Sequence, residues 1–228
     1  MQPIRTPPRF VFILLVFLLA VSDRSRLVAE EPLLNHLTAQ ERAQGFLLLF
    51  NGYDLDGWEG DPRIWSVDNG ELIGSSDAFS PPHNTYLIAD RQFSDIVLEL
   101  EVKLRNGNSG IQFRSTAFPD WIVHGYQADL SFAGDFSAWG NFYEEMGRGR
   151  DVMPTPTTGW EQAKDAVRKD GWSHYEIYAR GSHIRLTLNG KVTIDTQDNQ
   201  ASSGVVAFQL HEGKPMEVRF RNIKIKPL

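Results

Sequence analysis

Three short stretches of the 228-residue chain alternate apolar side chains with amide, arginine, aspartate or histidine side chains. A β-strand points successive side chains to opposite faces, so each stretch predicts one apolar face and one polar face. Amides and planar donors are suited to holding sugar hydroxyls in fixed orientations. If the strands are neighbours, these side chains form one polar floor; the alternative is an ordinary solvated sheet face. The residues concerned are Gln112, Arg114, Gln127, Asp129, Gln209 and His211.

A glycine- and aromatic-rich segment with paired acids follows the second stretch. Trp139 and Tyr143 offer flat rings that can stack on the C–H face of a sugar. Arg148 and Arg114 are interpreted as clamps for hydroxyl groups or an oxyanion, because an arginine stays protonated and donates in a planar fork. A charged loop by itself is usually only solvated surface, so this segment supports a site only together with the polar floor.

His211 is the first candidate for a general base, because a free imidazole titrates near neutral pH. The alternative is a histidine that is merely hydrogen-bonded at the end of a strand. Glu144 and Asp129 are alternative bases or metal ligands, and a divalent cation held by Asp129, Glu144 and His211 would fit enolate chemistry. No diagnostic metal-ligand spacing is present, however. Glu144 and Glu145 are adjacent and point apart in an extended chain, so they do not form a glycosidase pair.

The elements that must position these residues are short β-rich runs separated by Gly, Pro, Asn and Asp. The strongest run is Ile96–Leu104, in which five apolar residues occupy one face and charged residues the other. Hairpin turns are predicted at 68–70 and 189–190. Because no long segment has a helical period, the pattern predicts an all-β sandwich or barrel in a single domain.

The N-terminus has the features of an export signal. Arg5 and Arg9 precede an apolar run over residues 10–21, and small residues follow. The run is shorter than the roughly 20 residues that a membrane span needs, so we predict a signal peptide over 1–22, a leader or linker over 23–45 and the domain over 46–228. The expected location is periplasmic or extracellular, with membrane attachment only if the signal stays uncleaved. The chain has no cysteine and therefore no disulfide.

The charge of the chain disfavours nucleic acid as a partner. The formal net charge is −6, and without residues 1–22 the chain has 21 basic and 29 acidic residues, a net charge of −8. A strongly acidic protein repels the phosphate backbone. The polar floor and the aromatic rings make a carbohydrate the expected partner.

Six segments, in order along the chain, resemble the 3-keto-disaccharide hydrolase domain family over residues 46–228. The resemblance implies a concanavalin A-like jelly-roll sandwich of two antiparallel sheets in an exported bacterial protein. The segments are LFNGYDLDGW at 49–58, NSGIQFRS at 108–115, GYQADL at 125–130, WGNFYEEMGRGR at 139–150, KDGWSHYEIYARGSHIRLTLNG at 169–190 and GVVAFQLHEGKPMEVRFRNIKIKPL at 204–228.

The resemblance also implies action on glycosides that a separate oxidoreductase has oxidised at C3. Such chemistry needs a base near C2, donors for an enolate oxygen, and an acid or metal for the departing oxygen. Either cleavage or hydration of the 3-keto glycoside is consistent with it. The expected substrate-binding residues are Gln112, Arg114, Gln127, Trp139, Tyr143, Arg148 and Gln209, and the expected catalytic residues are Asp129, Glu144 and His211.

Two other classes of function fit the same residues. A non-catalytic, lectin-like binding module needs the amides and aromatic rings but no titrating group such as His211. A surface interaction domain that has lost its chemistry needs neither.

Overall fold

The structure is a computed structural model that describes Met1 and residues 33–132, 138–149 and 158–228. Apart from Met1, the predicted signal peptide lies outside the described residues, as does the leader up to residue 32. Leu33–Leu228 forms one compact unit. In the part of the chain that is described, no helix is both long and apolar enough to cross a membrane.

The described elements are fourteen strands and two short helices. In chain order they are α1 (Ala39–Ala43), β1 (Leu47–Leu48), β2 (Trp58–Glu59), β3 (Trp65–Asp68), β4 (Glu71–Ser75), β5 (Thr85–Phe93), β6 (Ile96–Leu104), β7 (Asn108–Phe118), β8 (Ile122–Ser131), β9 (Phe142–Glu145), α2 (Thr158–Ala163), β10 (Ser173–Arg180), β11 (His183–Leu188), β12 (Lys191–Gln197), β13 (Gly204–Leu210) and β14 (Glu217–Pro227).

The strands form two antiparallel sheets, which confirms the predicted all-β sandwich. The first sheet has the order β12-β11-β10-β6-β14-β4-β3, with β1 also paired to β14, and the second has the order β2-β5-β13-β7-β8-β9. Phe208 of the second sheet stacks on Phe220 of the first at 4.1 Å between ring centroids. The apolar face of β6 is fully buried between the sheets, as its alternating sequence predicts.

Residues 33–45, which the sequence assigned to a leader, pack on β14. Asn35 and Asn222 exchange hydrogen bonds, because each backbone N–H donates to the side-chain oxygen of the other, at 2.7 and 2.8 Å. Thr38 and Glu41 form a capping box at the start of α1. Glu41 also forms an ion pair with Lys224. The folded unit therefore includes this segment.

The longest hairpin, β7–β8, bends over the outer face of the second sheet, the face turned away from the core. The register of the two strands shifts between Phe113 and Thr116. Beyond the shift, the tip of the hairpin reaches β5, where the Trp121 carbonyl accepts the Tyr86 N–H at 3.0 Å. Val123 packs in a small apolar cluster with Tyr86 and residues of β13. The hairpin tip thus covers one part of the outer face.

The register shift turns Arg114 away from the polar floor on which its position in the sequence had placed it. Arg114 has a left-handed φ of 50°, and its fully buried guanidinium donates to the Ser94 carbonyl at 2.7 Å, the Gly181 carbonyl at 2.7 Å and Asp95 Oδ1 at 2.8 Å. These acceptors lie in the β5–β6 and β10–β11 turns. The strict alternation of β7 ends at Phe113, so Arg114 joins turns at one end of the sandwich and is not a substrate clamp.

We expect Arg114→Met to lower the free energy of unfolding by about 3 kcal/mol, because it removes the hydrogen bonds of a fully buried guanidinium to the Ser94 and Gly181 carbonyls and to the Asp95 carboxylate. Arg105→Met is the control, since Arg105 pairs with Asp77 on the exposed surface and such pairs contribute about 1 kcal/mol or less. Urea unfolding measures both variants. Equal losses would contradict the assigned role of Arg114.

Candidate functional site

A cavity of about 140 Å³ opens on the outer face of the second sheet. This volume is close to the roughly 150 Å³ of an engineered apolar cavity that binds benzene, a six-membered ring without substituents. The cavity therefore has the size of a site for a single sugar ring. Its lining residues are Asn84, Asn108, Gln127, Asp129, Tyr143, Glu145, Gln209 and His211.

Strand register explains why the predicted polar residues meet. Gln209 of β13 lies opposite Gly110 of β7, which lies opposite Asp129 of β8. Tyr143 of β9 lies opposite Gln127 of β8. Because β13, β7, β8 and β9 are consecutive in the sheet, side chains at these alternating positions share its outer face. His211 directly follows β13 and also lines the cavity.

A chain of hydrogen bonds holds the floor of the cavity in one arrangement. Gln112 Nε2 donates to Gln127 Oε1 at 2.7 Å, and Gln127 Nε2 donates to Asp129 Oδ1 at 2.7 Å. Gln209 Nε2 donates to Tyr86 Oη at 2.8 Å. Gln112 is fully buried and is not among the lining residues. It supports Gln127 from the side and does not reach the cavity, which corrects its predicted role in binding substrate.

The side chain of Gln127 lies directly across Gly110. A Cβ atom at Gly110 would stand 2.1 Å from Gln127 Cδ. A glycine is therefore needed at position 110 because the Gln127 side chain approaches the backbone closely, and not because the backbone adopts an unusual φ angle. Any larger residue there would push Gln127 out of its hydrogen bonds with Gln112 and Asp129.

Asn108 lines the cavity and has a side-chain oxygen without a partner in the described part of the chain. Its Oδ1 is buried and has no hydrogen-bond partner among the described residues, yet the residue lines the cavity. Buried polar atoms without partners are uncommon, and one beside a cavity points to a bound molecule that supplies the donor. A sugar hydroxyl is such a donor.

Glu145 is a cavity carboxylate that reasoning from the sequence did not select. Its Oε1 lies 3.4 Å from Asn84 Nδ2 and its Oε2 lies 3.5 Å from Gln209 Nε2. Burial raises the pKa of Glu145, while Asn84 and the nearby His211 oppose the rise. A carboxyl group with a raised pKa stays protonated to higher pH, which makes it better suited to donate a proton. The signal was present in the alternation of β9, because Tyr143 and Glu145 must share one face.

Glu144 lies on the opposite face of β9, outside the cavity. Arg148 binds the Glu144 carboxylate and also donates to Asp198 Oδ2 at 2.7 Å and Oδ1 at 3.1 Å. The Tyr126 hydroxyl donates to Asp198 as well. Arg148 thus holds the β9 turn against the loop that follows β12. The predicted roles of Glu144 as base and Arg148 as substrate clamp are corrected accordingly.

Two further predictions about the site change with the geometry. Trp139 is 1% exposed and packs on Phe132 at 5.4 Å between ring centroids, so it belongs to the core and cannot stack on a sugar. Asp129, Glu144 and His211 cannot form one metal site, because Glu144 is on the other face of its strand. Across the described ranges, no group of three or more acidic or histidine side chains is arranged to hold a metal ion.

His211 has one ring nitrogen already engaged. Its Nδ1 lies 2.8 Å from the Glu212 carbonyl oxygen. A carbonyl only accepts, so Nδ1 carries the proton in the neutral ring and Nε2 is left as the acceptor. The backbone N–H of Glu212 donates to Asn84 Oδ1 at 3.1 Å, which ties this loop to the rim of the cavity.

We expect Gly110→Ala to lower the free energy of unfolding by about 1–3 kcal/mol, because the added methyl group overpacks the floor. The control is Gly171→Ala, where a Cβ would meet Arg168 at 3.6 Å, an ordinary contact. Urea unfolding of both variants checks the prediction, and a crystal structure of the first should show Gln127 displaced. A Gly110→Ala variant as stable as Gly171→Ala would contradict the close approach.

Comparison with solved structures shows the fold. The chain is similar to a candidate glycosyl hydrolase from Parabacteroides distasonis ATCC 8503, with 21% identity and a TM-score of 0.63 over 86% of this chain and 99% of that one. It is also similar to the carbohydrate binding module CBM66 from Bacillus subtilis, with 18% identity and a TM-score of 0.53 over 75% of this chain and 95% of that one.

A third similar structure is a protein with a galectin-like fold from Bacillus subtilis, with 13% identity and a TM-score of 0.52 over 86% of this chain and 94% of that one. These folds confirm that the sandwich is of the predicted jelly-roll type. No curated protein is significantly similar to the chain.

The family model described as the 3-keto-alpha-glucoside-1,2-lyase-like domain matches residues 45–226. The match spans most of the chain and includes every residue that lines the cavity. It confirms the resemblance to the 3-keto-disaccharide hydrolase domain that the six sequence segments indicated. The chain therefore belongs to the 3-keto-alpha-glucoside-1,2-lyase-like domain family.

Proposed function

We propose that this protein cleaves glycosides whose sugar carries a ketone at C3. The observation that carries the proposal is the meeting of a carboxyl group, Glu145, and an imidazole, His211, above a floor of hydrogen-bonded amides in a cavity the size of one sugar ring. Amides are sufficient to bind a sugar, whereas a proton donor and a proton acceptor facing the same cavity are what an elimination needs. Membership of the family supports the 3-keto group in particular.

The chemistry follows from the ketone. A carbonyl at C3 makes the C2 proton acidic, so a base can remove it and leave an enolate. The enolate then re-forms the ketone with a C1–C2 double bond and expels the oxygen at C1, which takes up a proton and leaves as an alcohol. Water can add to the C1–C2 double bond, with its hydroxyl at C1 and a proton at C2, to give the free keto sugar.

The cavity offers a group for each proton transfer. In neutral His211 the Nε2 lone pair is free to accept the C2 proton, because Nδ1–H donates to the Glu212 carbonyl. Glu145 is suited to protonate the departing oxygen, because burial raises its pKa and keeps the carboxyl protonated to higher pH. Asp129, held by Gln127 at 2.7 Å, is suited to accept a sugar hydroxyl and is the alternative base.

The remaining lining residues are assigned to binding. Gln127 and Gln209 present amides in orientations fixed by their neighbours. Asn108 contributes the buried acceptor, and the ring of Tyr143 lies on the cavity wall, where it can stack on the sugar. Donors to the enolate oxygen therefore come from the amides in this proposal, since neither Arg114 nor Arg148 lines the cavity.

We expect the purified protein to release glucose from 3-keto-trehalose and to leave trehalose intact, because only the ketone acidifies the C2 proton. Product formation followed by chromatography checks this. Turnover of neither sugar, together with binding of ordinary glycans, would contradict the enzymatic proposal.

Glu145→Gln should lower kcat by about 10²–10⁴-fold, the usual contribution of a general acid. The matched control is Glu144→Gln, which alters the adjacent acid on the other face of β9 and should keep kcat within about tenfold of the wild type.

The general acid must be protonated to act. Wild-type activity should therefore fall as pH rises through the pKa of Glu145, which burial raises above its ordinary value, and this alkaline limb should be absent in Glu145→Gln. Equal effects of the two substitutions would contradict the assignment.

The second candidate function is a carbohydrate-binding module, which the similarity in fold to CBM66 favours. In that case Glu145→Gln should bind glycans as tightly as the wild type, because binding needs no proton transfer. Export to the periplasm or the cell exterior remains a prediction from the N-terminal sequence.

A further inference from the structure

We propose that a second pocket beside the cavity receives the aglycone, the group that the substrate loses from C1, and that Trp121 is the surface on which the aglycone stacks. The inference rests on the proposed function, since it concerns the other half of the same substrate. The expected ligand class is a neutral ring that bears hydroxyls or is aromatic, such as a second sugar or an aryl group.

The second pocket has a volume of about 230 Å³, and only a short segment of chain separates it from the cavity. Asn84 lines the cavity, while its neighbours His83 and Thr85 line the second pocket. The Trp121 carbonyl accepts the Tyr86 N–H at 3.0 Å, and the Tyr86 hydroxyl accepts a hydrogen bond from Gln209 of the cavity floor at 2.8 Å. The two spaces therefore share a wall built from residues 83–86.

The small size of the cavity means that a second binding space is needed for the rest of the substrate. At about 140 Å³ the cavity holds one ring, and a glycoside has a second part attached through the oxygen at C1. That part must lie outside the cavity. The second pocket, at about 230 Å³, is large enough for another ring and lies next to the rim residue Asn84, which contacts Glu145, the proposed proton donor to the departing oxygen.

The lining of the second pocket suits a neutral ring. The half-buried indole of Trp121 and the buried Pro81 provide apolar surface, and aromatic rings stack on the C–H faces of sugars as well as on aryl groups. Two of the charged lining residues pair with each other, since Arg63 Nε donates to Asp61 Oδ1 at 2.9 Å, and the third, Asp120, is exposed. The Thr85 hydroxyl is buried and has no hydrogen-bond partner among the described residues.

The backbone at Trp121 is unusual for a bulky residue. Trp121 has a φ of 54° and the preceding Asp120 a φ of 60°, at the turn between β7 and β8. The left-handed region favours Gly, Asn and Asp, and a bulky residue there is an outlier. A turn selected for stability alone would carry Asp-Gly at these positions. A large ring held against this local preference is expected where its side chain has a function.

The same strain provides a variant that separates binding from folding. Trp121→Gly removes the ring and leaves a residue that adopts the observed φ easily, so its melting temperature should equal or exceed that of the wild type. The control is Tyr53→Ala, which removes an exposed aromatic ring from a groove that shares no lining residue with either pocket.

The experiment compares three substrates for each protein: 3-keto-trehalose, an aryl 3-keto-glucoside and methyl 3-keto-glucoside. Wild-type kcat/KM should be higher for the two substrates with a ring aglycone than for the methyl glycoside. Trp121→Gly should lower this preference about tenfold, mainly through KM, because a stacked ring contributes an interaction of that order. Tyr53→Ala should leave the preference unchanged. A loss confined to one ring aglycone would show whether a sugar or an aryl group is the one that stacks.

The outcomes separate this inference from the proposed function. Turnover of all three substrates with the same preference in Trp121→Gly and the wild type would overturn the second pocket and leave the function standing. If no keto glycoside reacts, the dissociation constants of the same three compounds are compared in place of kcat/KM. A preference for ring aglycones that is present in the wild type and lost in Trp121→Gly would then support the second pocket in a binding protein. Absence of both reaction and binding would overturn both proposals.

Discussion

The hydrogen-bonded chain from Gln112 through Gln127 to Asp129 is the interaction on which the site depends. It exists only because Gly110 leaves room for Gln127 to lie flat across β7. Because the Gln127 amide is held from both sides, the floor presents donors and acceptors in fixed positions. Little conformational entropy is therefore lost when a ligand binds. Gln209 and Tyr86 extend the same arrangement across β13 and β5. The outer face of the second sheet is thereby organised before any ligand is present.

The charged residues of the central segment divide into structural and chemical groups. Arg114 is fully buried and joins the β5–β6 and β10–β11 turns, and Arg148 ties the β9 turn to Asp198. Both arginines have their donors occupied by protein acceptors, which leaves them poorly suited to hold a substrate. Glu145, in contrast, makes long contacts with Asn84 and Gln209 among the described residues. Its burial without a strong cationic partner is what raises its pKa.

Arg148 nevertheless serves the site indirectly. β9 is a four-residue strand that comes last in the order of the second sheet; among the described strands it pairs with β8, and Glu144 makes one further bridge to Gly149. Edge strands of this length are weakly held by backbone hydrogen bonds alone. The contacts of Arg148 with Glu144 and Asp198 anchor the strand, and this anchorage keeps Tyr143 and Glu145 turned toward the cavity. The face of β9 that points away from the cavity thus positions the face that lines it.

The sequence by itself determined the features that follow from local periodicity. Alternation predicted the sandwich and the buried face of β6, it placed Gln127, Asp129 and Gln209 on one surface, and six ordered segments indicated the family. These predictions held because a strand has a period of two wherever it stays regular.

Tertiary structure determined the positions of side chains where the strands depart from regular alternation or pack against distant residues. A left-handed residue at Arg114 shifted the register of β7 and turned that side chain away from the floor. The pairing of β9 with β8 selected Glu145 over Glu144, and packing against Phe132 placed Trp139 in the core. The physical reason is the same in each case. Bulges, edge pairing and core packing depend on contacts between residues distant in sequence, and those contacts decided which of several suitable side chains reached the site.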